Sequence, residues 1–334
     1  PTPEYAQIGQ DLDGTQSGGA FYRVALSADG LVLAVGETND DGSKSGAVSV
    51  FAWSGASNAW EQRGAKLDGD NQNWYEFGNG VALSTDGAIL AVGAPWSRPE
   101  DYTYGYDYEG HVLRAAGAVF VYQWDATAGA YVLMGDINDG DEYSEYRGYA
   151  VSLSADGTTL AVASWGTGRV RMYHWVNAWV QRGTDLDGVD DQEMFGYSVT
   201  LSADGTVLAA GSNRGGNVRA YAWDADADAW GQRGGALTSE GAYGHSVAMS
   251  NDGTILATSS GEHERVDVHE WDGASWQLAD SIVDDFEPQA VVPHNPNSET
   301  DGVERWRWGP YGDARVAISA NGKTLAVGAR TGTV

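Results

Sequence analysis

Residues 77–95 read FGNGVALSTDGAILAVGAP, in which two short apolar runs flank the polar turn Thr-Asp-Gly. Runs of this length on either side of an Asp-Gly turn predict a β-hairpin. The hairpin recurs at residues 23–36, 150–163, 198–211, 246–259 and 315–328, so the chain carries six copies. A supersecondary unit that returns along the chain indicates a repeat architecture.

Each of the first five hairpins is followed by two further candidate strands. After the first hairpin these read GAVSVFAW and WEQRGAKL, and after the second they read GAVFVYQW and YVLMGDIN. Four short antiparallel strands per repeat are typical of a propeller blade. The sequence therefore predicts an all-β chain, a six-bladed β-propeller of four-stranded antiparallel blades that forms a single domain over residues 1–334.

The two ends of the chain bear on how the ring closes. YAQIGQDLDG at residues 5–14 matches a fourth strand without the three strands before it. We therefore predict that this N-terminal strand completes the last blade, which would remove two exposed sheet edges. The sixth copy stops where its third strand should begin, so we expect the natural chain to continue beyond Val334, which would allow seven blades.

The composition excludes several classes of partner and chemistry. The formal net charge is −28, from 47 acidic and 19 basic residues. A nucleic-acid partner is excluded because it needs a basic surface, and anionic membranes are disfavoured for the same reason. The chain has no cysteine, which rules out disulfides and thiolate chemistry. No apolar run reaches the ~18 residues of a membrane span, so no membrane insertion is predicted.

One known family is suggested by the motif itself. The segment from Phe77-Gly78 to Gly93-Ala94-Pro95, with a second Phe-Gly pair at residues 195–196, resembles the FG-GAP repeats of integrin α-subunit-type propellers. The resemblance covers nearly the whole chain as repeat architecture. It implies an adhesion or ligand-binding role and a secreted, cell-surface or organelle-lumen location.

The calcium loop of that family is not carried over. Many FG-GAP repeats hold Ca²⁺ in a D-x-D-x-D-G loop between the first two strands. Here that connection is only SADG, STDG, SNDG or SANG. So short a turn offers too few oxygen atoms for an ion that takes six to eight ligands.

Residues that recur in register are predicted to serve the fold. Nine tryptophans end third strands or begin fourth strands, and we expect them to pack between adjacent blades. They are Trp53, Trp124, Trp175, Trp223 and Trp271, and Trp60, Trp179, Trp230 and Trp276. The Gln-Arg-Gly triplets are interpreted in the same way. No catalytic motif such as G-x-S-x-G or H-E-x-x-H is present, so we predict that the protein is not an enzyme.

Two insertions break the repeat, at residues 94–117 and 284–312. In a four-stranded meander, the second-to-third connections and the connections into the next blade leave on the same face, so both insertions share one face. Tyr and Trp supply large contact areas at low entropic cost. We therefore predict a partner-binding surface that contains Trp96, Tyr102, Tyr104, Tyr106, Tyr108, Arg305, Trp306, Arg307, Trp308 and Tyr311.

The acidic loops that follow the fourth strands lie on the same predicted face. One hypothesis makes them Ca²⁺ sites, with Asp68, Asp70 and Glu76, or Asp187, Asp190, Asp191 and Glu193, as ligands. The favoured alternative is a charged, solvated rim that needs no cofactor, because the spacings match no established calcium loop.

Together these features favour a non-catalytic binding or adhesion module for a protein or glycan partner. Tyr and Trp side chains would provide the anchors, and carboxylates would select a cationic partner or a bridging cation. Two alternatives remain open. The chain could be a structural subunit of an extracellular or organellar assembly, or a glycan-active enzyme with two carboxylates about 5–9.5 Å apart in a central pit.

Overall fold

A computed structural model describes most of the chain. The described residues are 7–12, 21–38, 45–69, 76–97, 116–138, 145–190, 193–239, 243–260, 265–283 and 315–328. They contain β-strands and no α-helix. The chain divides into two compact units, one of residues 1–167 with 173–180 and one of residues 168–172 with 181–334.

The strands form antiparallel sheets that follow one another along the chain. The first sheet contains β1 (Phe21–Leu26), β2 (Val32–Glu37), β3 (Ala47–Ser54), β4 (Ala59–Gln62) and the short β5 (Leu67–Asp68). The second contains β6 (Gly80–Leu83), β7 (Ile89–Ala94), β8 (Ala118–Asp125) and β9 (Ala130–Ile137). The third contains β10 (Arg147–Leu153), β11 (Thr159–Ser164), β12 (Arg169–Trp175), β13 (Trp179–Gln181) and β14 (Leu186–Asp187).

The remaining sheets repeat this order. The fourth contains β15 (Phe195–Leu201), β16 (Val207–Ser212), β17 (Asn217–Asp224), β18 (Ala229–Gln232) and β19 (Leu237–Thr238). The fifth contains β20 (Tyr243–Met249), β21 (Ile255–Ser260), β22 (Arg265–Trp271) and β23 (Trp276–Val283). The hairpin β24 (Arg315–Ile318) and β25 (Leu325–Gly328) is the described part of the sixth. All six predicted hairpins and the four-stranded unit are confirmed, whereas the blade count and the single domain stay predictions.

The sequence predicts each fourth strand as one continuous run, but in three sheets the structure breaks it into two parts. In the first sheet β4 ends at Gln62 and β5 begins at Leu67, and both pair with β3. The break falls at Arg63-Gly64, where Gly64 has a left-handed φ of 81°. β9 and β23 lack the Gln-Arg-Gly triplet and continue through a single register shift. The triplet is therefore a strand break built into three of the repeats.

The hydrophobic core lies between successive sheets. Val48 and Val50 of the first sheet pack with Phe77, Leu90 and Val92 of the second in one buried cluster. The backbones also meet closely: a Cβ added to Gly93 would lie 1.8 Å from the carbonyl oxygen of Gly148. Sheets at this spacing need glycine at the contact, because any side chain there would collide with backbone.

The recurring Arg and Trp side chains also join neighbouring sheets. The Arg182 guanidinium lies 4.2 Å from the ring centroid of Trp223, and the indole N–H of Trp230 donates to the Arg182 carbonyl at 3.1 Å. Arg233 repeats both contacts, on Trp271 and with Trp276. The prediction that these tryptophans pack between blades is confirmed for these pairs.

The N-terminal segment lies against the first sheet as a fourth strand would. A Cβ on Gly9 would lie 2.8 Å from the Trp53 ring and 3.1 Å from the Trp60 ring. Gln10 exchanges two side-chain hydrogen bonds with the backbone of Trp60. Gly183 bears the same relation to the Trp223 and Trp230 rings. Residues 7–12 are thus a fourth-strand equivalent, and closure of the last blade by this strand stays a prediction.

Gly183→Ala should destabilise the protein by about 1–3 kcal/mol, because its φ is 78° and the new methyl group would lie 3.0 Å from the Trp230 ring. Gly231→Ala is the matched control, since nothing lies within 4 Å of its Cβ position, and its effect should stay within about 0.5 kcal/mol. Urea unfolding measures both. Equal effects would show that the Gly183 contact is not tight in solution.

The hairpin turns share one hydrogen-bond arrangement. In the second sheet Ser84 Oγ donates to Asp86 Oδ1 at 2.7 Å, and the Ala88 amide donates to the same oxygen at 2.9 Å. The sixth copy has Asn321 at this position and makes the same two bonds from Ser319 and Lys323. The hydrogen bond from Ser84 is the main reason that the pKa of Asp86 lies below its ordinary value.

Asp86→Asn should keep the folded stability near neutral pH and flatten its acid dependence, because asparagine retains the acceptor but does not titrate. A carboxyl with a lowered folded pKa contributes stability above its unfolded pKa of about 3.9 and loses it as the pH falls through the folded pKa. Asp86→Ala should cost about 1 kcal/mol at neutral pH. Unfolding curves between pH 7 and pH 3 test this, and an unchanged acid slope in the asparagine variant would contradict it.

Candidate functional site

Trp96 is the one predicted partner-binding residue that the structure describes. It follows β7 and is 38% exposed. Its ring lies 4.6 Å from that of Tyr146, at an interplanar angle of 63°. Tyr146 precedes β10, so a second-to-third connection contacts a connection into the next sheet at this point.

The contact extends into a row of aromatic rings. Tyr146 stacks on Trp165 at 4.9 Å and 11°, and Trp165 meets Tyr149 at 5.8 Å and 64°. The Arg23 guanidinium lies 5.6 Å from the Tyr149 centroid, which is within cation–π range. We call Trp96, Tyr146, Trp165 and Tyr149 the aromatic ladder. It runs from a guanidinium at one end to the exposed Trp96 ring at the other.

A buried acidic side chain holds the ladder in place. Glu145 is fully buried, and its carboxylate pairs with the equally buried Arg147 at 2.8 Å. The same carboxylate accepts a hydrogen bond from Ser164 Oγ at 3.3 Å, and the Glu145 carbonyl accepts from the Gly166 amide at 3.3 Å. Ser164 and Gly166 flank Trp165 in the chain. Glu145 therefore bonds to both neighbours of the residue on whose ring Tyr146 stacks.

The fourth sheet makes the same glutamate contacts, here called the clasp, without counterparts of the Tyr146 and Trp165 rings, although Tyr197 stands at the position of Tyr149. Glu193 accepts from Ser212 Oγ at 3.0 Å, and its carbonyl accepts from the amides of Arg214 and Gly215. The residue after each glutamate has a left-handed φ, 53° at Tyr146 and 56° at Met194. Asn213 stands where the third sheet has Trp165. The clasp therefore belongs to the scaffold, and the aromatic pair is an addition specific to the third sheet.

Sequence reasoning missed Tyr146, Trp165 and Tyr149. Tyr146 lies in a loop interpreted only as acidic, and Trp165 lies outside both insertions. A column-by-column comparison of the repeats could have found Tyr146 and Trp165, because the fourth copy has non-aromatic residues at both positions. It would not have found Tyr149, because the fourth copy has Tyr197 there.

The other predicted partner-binding residues lie outside the described residues. They are Tyr102, Tyr104, Tyr106, Tyr108, Arg305, Trp306, Arg307, Trp308 and Tyr311. The two insertions, residues 94–117 and 284–312, are described only at residues 94–97 and 116–117. The prediction that these side chains belong to a partner-binding surface stays a prediction.

The predicted calcium ligands are distributed over separate contacts. Asp68 pairs with Lys66 at 3.3 Å, Glu76 accepts from Asn79 at 3.1 Å, and Asp187 pairs with Arg169 at 2.7 Å. Asp70 and Asp191 lie outside the described residues. Within the part of the chain that the structure describes, no group of three or more His, Asp or Glu side chains is arranged to hold a metal ion. The calcium hypothesis itself remains a prediction.

Glu193 is bound on every side by donors of its own unit. Arg219 and Asn217 donate to Oε1 at 2.5 Å each, and the Val189 amide donates to Oε2 at 2.6 Å. Burial alone would raise the pKa of Glu193, but these bonds and that from Ser212 outweigh it and lower the pKa. With Asp190 and Arg214, the cluster lines a cleft of about 490 Å³.

The fold can be compared with known proteins. No protein-family model matches the chain, and no curated protein sequence does. A solved structure of a functionally unknown protein from Desulfotomaculum acetoxidans matches with a TM-score of 0.55 at 11% identity, covering 80% of this chain and 71% of that one. The Cps50 (Swd1) β-propeller domain of Myceliophteria thermophila matches with a TM-score of 0.55 at 15% identity, covering 83% and 74%.

A third structure, Hsv2p of Kluyveromyces lactis, has a TM-score of 0.50 at 15% identity and covers 82% of this chain and 76% of that one. This chain has a β-propeller fold. At these identities the likeness shows the fold and nothing about activity. In the described residues no helix is both long enough and apolar enough to cross a membrane.

The resemblance to integrin α-type FG-GAP repeats is wrong. No family model of any kind matches, and the propellers found by structure are of other kinds. The physical reason lies in the motif. Phe77 is buried in the core between sheets, and a Cβ on Gly78 would lie 2.7 Å from the Ala47 carbonyl oxygen. The Phe-Gly pair thus meets a packing requirement of closely spaced sheets. An unrelated propeller can meet the same requirement with the same two residues.

Glu145→Gln should destabilise the protein by about 3–5 kcal/mol, because it removes the Glu145 charge that lies 2.8 Å from the buried Arg147 guanidinium. Arg147→Phe should be costly for the converse reason. The double variant should recover much of the loss, since the second and fourth copies have Phe77 and Phe195 at this position. Denaturant unfolding of all four proteins gives the coupling. Additive losses would show that the pair is not a unit.

Proposed function

We propose that this protein is a non-catalytic binding module whose partner docks on the aromatic ladder. The observation that carries the proposal is the ladder itself: four aromatic rings in contact, the last of which, Trp96, is 38% exposed. Rings of this kind are the residues most often found at the energetic centre of binding surfaces.

The ladder is not needed by the scaffold, which supports a functional role. The fourth sheet forms the equivalent glutamate clasp with Met194 and Asn213 in the positions of Tyr146 and Trp165. Packing of the repeat therefore does not account for two large aromatic side chains at these positions. A binding role does. Tyr146 is itself buried at 3% exposure and supports its neighbours, and the exposed Trp96 ring would lose little entropy when a partner covers it.

The ladder is also pre-organised. Glu145 fixes Ser164 and Gly166 on both sides of Trp165, and Tyr146 stacks on that ring. A surface held in its binding geometry spends less free energy on ordering when the partner arrives. Trp96 begins the 94–117 insertion, so the four tyrosines from 102 to 108 follow it closely in the chain. We include them, with residues 305–311, in the proposed surface.

Tyr146→Met with Trp165→Asn is the variant that tests the proposal, because it copies residues that the fourth sheet accepts at the same positions. Wild type and variant would serve as bait in extracts of the native source. We expect the wild type to retain a partner and the variant to lose it, with melting temperatures that agree within a few degrees. A second variant with Tyr102, Tyr104, Tyr106, Tyr108, Trp306 and Trp308 changed to Ala tests the insertions separately.

Leu133→Ser, at an exposed position on β9, controls for a general loss of surface apolarity. A partner retained by wild type, by the ladder variant and by the insertion variant would move the interface elsewhere and favour the structural-subunit alternative. Recovery of the partner at fixed stoichiometry in every preparation would favour it further. Turnover of a glycan substrate by wild type would instead favour the enzyme alternative.

A further inference from the structure

We infer that the ladder recognises a cationic side chain, a guanidinium or alkylammonium presented by a basic segment of a protein, which seats against the exposed end at Trp96. The inference rests on the proposed function, since it names the ligand of the same surface. Its grounds are the occupant of the opposite end, the exposure of the Trp96 ring and the charge of the chain.

The inner end of the ladder already holds such a group. Arg23 places its guanidinium 5.6 Å from the Tyr149 centroid while its Nε donates to the Asn79 carbonyl at 3.0 Å. The order of groups along the ladder is therefore the Arg23 guanidinium, Tyr149, Trp165, Tyr146 and Trp96. The intramolecular cation covers one end, and the 38% exposure of Trp96 leaves the other end accessible to a second cation.

The accessible end of the ladder presents one ring. Tyr146 is only 3% exposed and lies between Trp96 and Trp165, so a ligand at this end contacts the Trp96 ring. An indole face attracts a guanidinium or alkylammonium group through its quadrupole. Because an indole face can also stack on a sugar, the choice of a cation rests on charge.

The charge of the chain favours the same ligand. A net charge of −28 raises the local concentration of cations at the surface and repels anionic partners. The Glu145 carboxylate beneath the ladder is paired with Arg147, so the attraction at the rings themselves is of the cation–π type. Such contacts contribute about 0.5–2 kcal/mol each, enough for a measurable difference on removal of one ring.

The test uses hexa-arginine as the probe and hexa-citrulline, its neutral near-isostere, as the control ligand. Affinities are measured by calorimetry at two ionic strengths for wild type and Trp96→Ala, which carry the same net charge. The Trp96 resonance is followed by ¹⁹F NMR in protein labelled with fluorotryptophan and is assigned with Trp96→Phe. We expect hexa-arginine to shift this resonance and to bind wild type several-fold more tightly than Trp96→Ala, with hexa-citrulline at least tenfold weaker.

Two results would overturn the inference but leave the proposed function standing. One is equal affinity of hexa-arginine and hexa-citrulline for wild type, with the Trp96 resonance shifted by both. The other is a Trp96 shift with cellohexaose and none with hexa-arginine, which would make the ligand a glycan. Equal hexa-arginine binding to wild type and Trp96→Ala would show attraction to the acidic surface alone. If, in addition, partner capture is unchanged by Tyr146→Met with Trp165→Asn, the proposed function fails too.

Discussion

The close approach of neighbouring sheets is the constraint on which the structure depends. A four-stranded sheet with one apolar face gains stability only when that face is covered, and in this chain the cover is the next sheet. At the Gly93–Gly148 contact the separation leaves no space for a Cβ. The Arg–Trp contacts and the Gly183 contact recur at the same register because they meet the same constraint. The repeats share the residues that these recurring contacts require.

This constraint also locates the positions that are free to take on a function. Residues shared by all copies are committed to packing, so a difference between copies at one register position carries the information. The Glu145 and Glu193 clasps show this. In both, a buried glutamate accepts hydrogen bonds from a serine and from the turn that follows it. Only the third sheet adds Tyr146 and Trp165. The scaffold can hold either set, and the choice between them is not made by stability alone.

The sequence predicted the fold well because hairpins and alternating strands are local features. A Ser-x-Asp-Gly or Ser-x-Asn-Gly turn between apolar runs needs only nearby residues, and all six hairpins are present. The break in the fourth strand was missed because Arg63-Gly64 responds to the neighbouring sheet, not to its own strand. The aromatic ladder was missed for a similar reason: Trp96, Tyr146 and Trp165 are distant in sequence and meet only through packing. The family resemblance was wrong because it relied on the Phe-Gly pairs, which the close packing of the sheets requires by itself.

The Glu145–Arg147 pair shows why the ladder is rigid. Burying two charges costs several kcal/mol in desolvation, which their attraction offsets only when the geometry is well satisfied. The second, fourth and fifth copies place Phe77, Phe195 and Tyr243 at the Arg147 position, so an aromatic side chain would fit the register. Arginine there provides the counter-charge for Glu145 in a buried position, and Glu145 in turn fixes both neighbours of Trp165. A buried ion pair of this kind need not add net stability, but it holds the turn below the ladder in one conformation. A rigid aromatic surface on an acidic scaffold is the physical basis of the cation recognition inferred for this face.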